Sequence, residues 1–212
     1  SLYFSWNKDW YSNFARVAFS SFITPYSVID IDLRSGQQTL KKQDQVLGGY
    51  EPAEYTMMRH WAPTYDGQKI PLSILYHRDL DLNGKNNCIM YGYGAYGDNY
   101  DPWFSSNMFS LVDRGLVFVR AHIRGSSYLG RQWYTNGRMM HKKNTFRDFI
   151  SAAEYLIDEE ITTPNDLAIY GGSAGGLLIG AVLNMRPDLF EVAVADVPFV
   201  DVINTMLDES IP

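Results

Sequence analysis

The stretch Leu167-Ala168-Ile169-Tyr170-Gly171-Gly172-Ser173-Ala174-Gly175-Gly176-Leu177 decides the fold. Its first four residues are apolar or aromatic and read as a strand that runs into glycines. From Leu177 to Met185 the pattern is helical, and Arg186-Pro187 stops it. Gly171 to Gly175 fits G-x-S-x-G, the pattern of a sharp strand-to-helix turn with a serine at its tip. In such a turn the two backbones nearly touch, so side chains two residues before and after the serine would clash. That accounts for Gly171 and Gly175, and Gly176 allows closer packing still. The helix N-terminus beneath Ser173 directs its positive dipole at a developing oxyanion. The alternative reading is a glycine-rich βα turn whose serine caps the helix.

Outward from this unit the same style continues. Residues 88–91 and 116–121 read as short buried strands, 146–157 as a helix with apolar residues at Phe146, Phe149, Ile150, Ala153, Leu156 and Ile157, and 192–195 as a further strand. Asn144-Thr145 is the expected helix cap. Residues 55–62 and 70–76 flank Asp66-Gly67, a hairpin turn. Strands apolar on both faces, alternating with helices, predict an α/β fold with a mostly parallel sheet, covered on both sides, into which the hairpin leads. Residues 1–48 differ. They alternate at Ala15, Val17 and Phe19, and again from Val28 to Leu33, with turns expected at Thr24-Pro25 and Arg34-Ser35-Gly36. Two or three such strands bury no core alone and must lean on something else.

The chain has 212 residues, 46% hydrophobic and 20% charged, with net charge −6. This excludes a disordered or collagen-like chain, and nothing suggests a nucleic-acid or anionic-membrane surface. The most apolar run, residues 177–183, is far short of the roughly 20 needed to span a bilayer. The N-terminus lacks the basic-then-apolar order of a signal peptide. The one cysteine, Cys88, precludes an intrachain disulfide and points to a reducing, cytoplasmic setting. No His, Cys or Asp cluster has metal-ligand spacing, and no metal or cofactor is expected.

A second glycine-rich stretch, Tyr91-Gly92-Tyr93-Gly94-Ala95-Tyr96-Gly97, follows a strand and so falls at the carboxyl edge of the sheet, where α/β sites form. Its tyrosines suit donors or pocket walls; a tyrosine-rich loop without chemistry is the alternative. A serine nucleophile needs a histidine base and an orienting carboxylate. The histidines, His60, His77, His122 and His141, all precede Ser173, against the Ser, acid, His order of α/β-hydrolases. His122 reads as a structural, hydrogen-bonding residue and His141 as a surface one.

From about residue 15 to 212 the chain resembles the prolyl oligopeptidase family of serine peptidases, most nearly its oligopeptidase B branch. The resemblance is carried by Tyr91-Gly-Tyr-Gly-Ala-Tyr-Gly97, His122-Ile-Arg-Gly125, Tyr128-Leu-Gly-Arg-Gln-Trp-Tyr134, Lys142-Lys-Asn-Thr-Phe146, Gly171-Gly-Ser-Ala-Gly-Gly-Leu177, Arg186-Pro-Asp-Leu-Phe190 and Thr205-Met-Leu-Asp-Glu-Ser-Ile-Pro212. It implies that residues 1–48 are the closing blade of a β-propeller and 49–212 the N-terminal and middle part of an α/β-hydrolase domain. It makes Ser173 the nucleophile, with the Ala174 backbone N–H and the Tyr93 hydroxyl as oxyanion donors. Tyr96 then lines the substrate pocket, and Asp101 matches an acidic residue that receives a basic substrate, or else is a solvated loop aspartate. Trp103 stands where a neighbouring acid is expected, and Arg124-Gly125-Ser126-Ser127 replaces Arg-Gly-Gly-Gly. The family's catalytic aspartate and histidine lie downstream of Pro212. The implied activity is cleavage of short peptides after basic residues, with the isolated chain inactive. Implied partners are such peptides and the remainder of the same protein or another copy, with no nucleic acid or membrane. An esterase on the same fold, or a non-catalytic truncated or complementing fragment, stays open.

Overall fold

The structure, a computed structural model, describes residues 1–210; Ile211 and Pro212, which close the Thr205–Pro212 motif, lie outside the described residues. Two sheets form. In the first, β1 (Leu2–Phe4), β2 (Phe14–Ser21), β3 (Thr24–Asp32) and β4 (Gln38–Gln43) run antiparallel in chain order. The turn between β2 and β3 falls at Phe22-Ile23, not at the expected Thr24-Pro25. Pro25 lies inside β3, where the register shifts between the Phe19↔Ser27 and Ser21↔Thr24 pairs, so a missing N–H is tolerated there.

The second sheet contains β5 (Tyr55–Pro63), β6 (Lys69–His77), β7 (Cys88–Tyr91), β8 (Val117–Ala121), β9 (Leu167–Gly172) and β10 (Val192–Asp196) in the order β10-β9-β7-β8-β6-β5. β10, β9, β7 and β8 are parallel, whereas β6 joins β8 and β5 antiparallel, so the sheet is mixed. Among the described residues five α-helices complete the fold, α1 (Ser106–Val112), α2 (Arg131–Thr135), α3 (Lys143–Asp158), α4 (Ala174–Met185) and α5 (Val202–Leu207), with four short 3-10 turns between elements.

Side-chain alternation along the strands divides the core. Ile70, Leu72, Ile74, Met90, Val117, Val119, Leu167 and Ile169 face α3 and α4, meeting Phe149, Ala153, Leu156, Leu178 and Val182. Each fully buried Leu, Ile or Phe contributes about 1.5–3 kcal/mol. The opposite face presents Leu75, Phe118 and Tyr55 to α1 and to Phe22 at the tip of the β2–β3 hairpin. The Phe22 ring meets Phe118 edge-on at 5.7 Å and 87°, and through this tip the small sheet leans on the large one.

Helix α3 begins at Lys143, ahead of the expected cap. Asn144 Nδ2 and Thr145 Oγ1 instead donate to the carbonyls of Asn136 and Gly137, tethering that loop. The sheet is also not covered along its whole width: every residue of β10 is exposed. Among the described residues, no helix is long and apolar enough to cross a membrane.

Candidate active site

Strand β9 ends at Gly172 and α4 begins at Ala174, so a single residue, Ser173, makes the turn. It does so at φ 55 and ψ −115, a conformation that a residue with a β-carbon adopts only under strain of about 1–3 kcal/mol. Backbone bonds hold it there. Ser173 N donates to Asp196 O at 2.9 Å, and Ser173 O accepts from Gly176 N at 2.9 Å and Phe199 N at 3.1 Å. The side chain is exposed and does not cap α4, which separates this turn from one built around a capping serine. A β-carbon on Gly171 would lie 2.5 Å from Gly175 O, and one on Gly175 2.8 Å from Gly92 O. Ala174 opens α4, and its N–H belongs to the first turn, where helix N–H groups have no carbonyl partner within the helix.

The Tyr91–Gly97 loop leaves β7, the neighbour of β9, at the same sheet edge. The Tyr93 ring packs beside the turn, 3.4 Å from where a Gly175 β-carbon would sit. Tyr93 is half-buried, with its ring centroid 4.7 Å from that of Tyr100 and 6.4 Å from that of Tyr96. Burial, followed by the nearby Tyr100 and Asp98, pushes the Tyr93 hydroxyl up from its ordinary value. It therefore stays protonated, and able to donate, at neutral pH. Gly94 follows at φ 67, and a β-carbon there would meet the Thr145 methyl at 2.4 Å. Tyr96 is 73% exposed.

The structure thus brings together Gly171, Ser173, Ala174, Gly175 and Tyr93, with Tyr96 on the same loop. Asp101 lies elsewhere. Its carboxylate accepts from Ser1 Oγ at 3.0 Å, its carbonyl accepts from Arg120, and it borders a cavity of about 800 Å³ that none of the turn residues lines. Among the described residues none of the four histidines bonds to Ser173. His60 Nδ1 contacts the Tyr155 hydroxyl at 3.1 Å, and His77 Nδ1 accepts from Asp79 N at 3.3 Å. His122 Nε2 meets Ser73 Oγ at 2.8 Å under a stacked Tyr128, and burial above all pushes its pKa down to about 2. His141 is exposed.

Sequence reasoning assigned no role to two residues that shape this edge. Tyr100 packs at a tilt against both Tyr91 and Tyr93; the signal was the recurrence of tyrosine at 91, 93, 96 and 100. Lys142 reaches the loop from the start of α3, and its only signal was membership of the Lys142–Phe146 motif.

A strained, exposed serine between a parallel strand and a helix, with a tyrosine packed beside it, is an arrangement for nucleophilic attack. The family model for the prolyl oligopeptidase family matches residues 102–212. The chain belongs to the prolyl oligopeptidase family. It is 44% identical to Protease 2 of Moraxella lacunata over 95% of its length, and 43% identical to dipeptidyl aminopeptidase BI of Pseudoxanthomonas mexicana over its whole length. Among solved structures it is similar to oligopeptidase B of Leishmania major, with 50% identity, TM-score 0.88 and 96% of this chain covered. Oligopeptidase B of Trypanosoma brucei, with covalently bound antipain, gives 48% identity and TM-score 0.87 over 95% of this chain. The chain spans 28–29% of the length of these relatives. These members of the prolyl oligopeptidase family are peptidases, and the mixed α/β sheet is shared with them.

Proposed function

We propose that this chain is part of a serine oligopeptidase that cleaves short peptides after basic residues. The observation that carries the reading is Ser173, held at φ 55, exposed and uncapping, beside the Tyr93 ring. In this reading Ser173 Oγ attacks the scissile carbonyl carbon while its proton passes to a histidine. The Tyr93 hydroxyl and the Ala174 N–H stabilise the tetrahedral oxyanion. Collapse breaks the C–N bond, the amine leaves with the transferred proton, and water then hydrolyses the acyl-serine. The base and its orienting aspartate lie outside residues 1–212, so this segment alone is inactive. Residues 1–48 are read as the closing part of a propeller and residues 49–212 as part of an α/β-hydrolase domain. The separate antiparallel sheet and the exposed length of β10 favour that division. Tyr96 is assigned to the pocket wall and Asp101 to recognition of a basic side chain. The preference for basic residues is read from the resemblance to the oligopeptidase B branch, and the cytoplasmic setting from the single cysteine, which leaves no intrachain disulfide.

The test is Tyr93→Phe in the intact protein, the polypeptide carrying these residues together with its histidine, assayed on an arginyl peptide. The expected result is a kcat about 10²–10³-fold lower, equivalent to about 3–4 kcal/mol, with little change in KM. Equal kcat in variant and parent would overturn the oxyanion assignment. A simple ester turned over with higher kcat/KM than the peptide would make the protein an esterase.

A further inference from the structure

The Tyr93 loop is tied at both ends by backbone. Gly92 N donates to Tyr170 O at 3.2 Å, and Gly97 N donates to Gly125 O at 2.9 Å. Between these anchors, apart from the local turn bond from Asp98 N to Ala95 O, one hydrogen bond among the described residues ties the loop backbone to a distant part of the chain. Lys142 Nζ donates to Gly94 O at 2.6 Å. Gly94 is the residue after Tyr93, and its positive φ of 67 sets how the chain leaves the tyrosine. Its side is closed by the Thr145 methyl, the Arg124 carbonyl and the Ile123 δ-methyl. None of these donates a hydrogen bond to its carbonyl.

Lys142 is poorly placed for stability. It immediately precedes α3, whose N-terminal dipole repels a cation. Among the described residues no carboxylate forms an ion pair with it. Its further contact is the Phe146 ring, 5.8 Å from Nζ. Burial pushes its pKa down to about 8, so the ammonium form is held at some expense. A residue that breaks three local rules together, and meets a catalytic loop, is the kind of position where function outweighs stability.

We propose that Lys142 is a positioning residue for Tyr93: its ammonium pins the Gly94 carbonyl and so fixes the loop segment that aims the tyrosine hydroxyl at the oxyanion. The inference rests on the assignment of Tyr93 as an oxyanion donor. It needs only a small displacement, because misplacing a catalytic group by about 1 Å lowers rates on the order of 10²-fold.

The experiment uses the intact protein with Lys142→Met, Lys142→Arg, Tyr93→Phe and the Tyr93→Phe/Lys142→Met double variant. Kcat and KM are measured on an arginyl peptide, and the thermal midpoint is measured alongside. Lys142→Met is expected to lower kcat about 10- to 100-fold with KM nearly unchanged. Its midpoint is expected to change little, because relief of a half-buried ammonium at a helix N-terminus offsets the hydrogen bond lost at Gly94 O. Lys142→Arg, which keeps a charged donor, is expected to recover most of the kcat. In the Tyr93→Phe background Lys142→Met is expected to have little further effect, since the two residues act as one unit. Parental kcat in Lys142→Met, equal losses in both backgrounds, or a variant that fails to fold would each overturn the proposal. Parental kcat in Tyr93→Phe alone would instead overturn the oxyanion assignment on which it stands.

Discussion

Gly171→Ala tests the turn at its tightest point. The added β-carbon would lie 2.5 Å from Gly175 O, 2.8 Å from Gly175 C and 3.0 Å from Gly92 O. All three are backbone atoms, so no side chain can rotate away. Reaching even 3.0 Å from the nearest oxygen requires about 0.5 Å of backbone movement, and comfortable contact requires more. Overpacking of this kind destabilises by about 1–3 kcal/mol. The movement acts on the strand and helix that jointly define Ser173, and displacements on this scale lower catalysis by one to two orders of magnitude, about 10- to 100-fold. The assay is urea unfolding together with the rate of fluorophosphonate labelling at Ser173 in the intact protein. A lower unfolding midpoint and slower labelling are expected. A variant that melts with the parent and labels at the parental rate would refute the steric account of the turn.

The other outcomes rest on separate contacts. Asp148→Asn leaves the Arg124 guanidinium, 3% exposed and bonded to Asp148 through Nε and Nη2, with only the half-exposed Asp66 as a charged partner. Urea unfolding is expected to show a loss of about 3–5 kcal/mol, and a change below 1 kcal/mol would contradict it. His122 stays neutral in the fold to about pH 2, whereas the unfolded chain takes up its proton near the ordinary value of 6.5. The unfolded state therefore binds more protons below pH 6.5, and acidifying from pH 7 to 4.5 removes on the order of 2–3 kcal/mol of stability. His122→Gln flattens that part of the urea-midpoint-against-pH curve, and an unchanged slope would assign it to other groups. Gly176→Ala would set a β-carbon 2.5 Å from Pro198 Cα and push away the segment whose Phe199 N–H bonds to Ser173 O. Slower labelling at Ser173 is expected, and parental labelling would show that this bond does not maintain the turn.

Where local pattern and local geometry coincide, the sequence was readable. Leu167 to Met185 is a strand, turn and helix because apolar spacing, clustered glycines and Arg186-Pro187 all report on neighbours in the chain. The Asp66-Gly67 hairpin was legible for the same reason. Long-range pairing was not. Asp148 and Thr145 sit on the buried face of α3, where apolar periodicity expects no polar residue. Arg124 and Gly137, brought in by other parts of the chain, make them acceptable there. The Thr24-Pro25 turn failed because a register shift accommodates a proline within a strand. The antiparallel pairing of β6 with β8 was not legible, because nothing in β6 itself reports which way its neighbour runs. In the candidate site, Ser173 and Tyr93 were legible from glycine-rich motifs, while Lys142 was not, since its target is a carbonyl 48 residues away.

The bonds that hold Ser173 in its strained conformation bear on its reactivity. Asp196 O, Phe199 N and the first turn of α4 all belong to, or directly follow, one strand–helix–strand crossover from Leu167 to Asp196. The strained backbone of Ser173 is therefore fixed within a single crossover, without help from distant parts of the chain. Under the proposed peptidase reading, reactivity is then governed by how a base meets the serine and not by any reshaping of the turn.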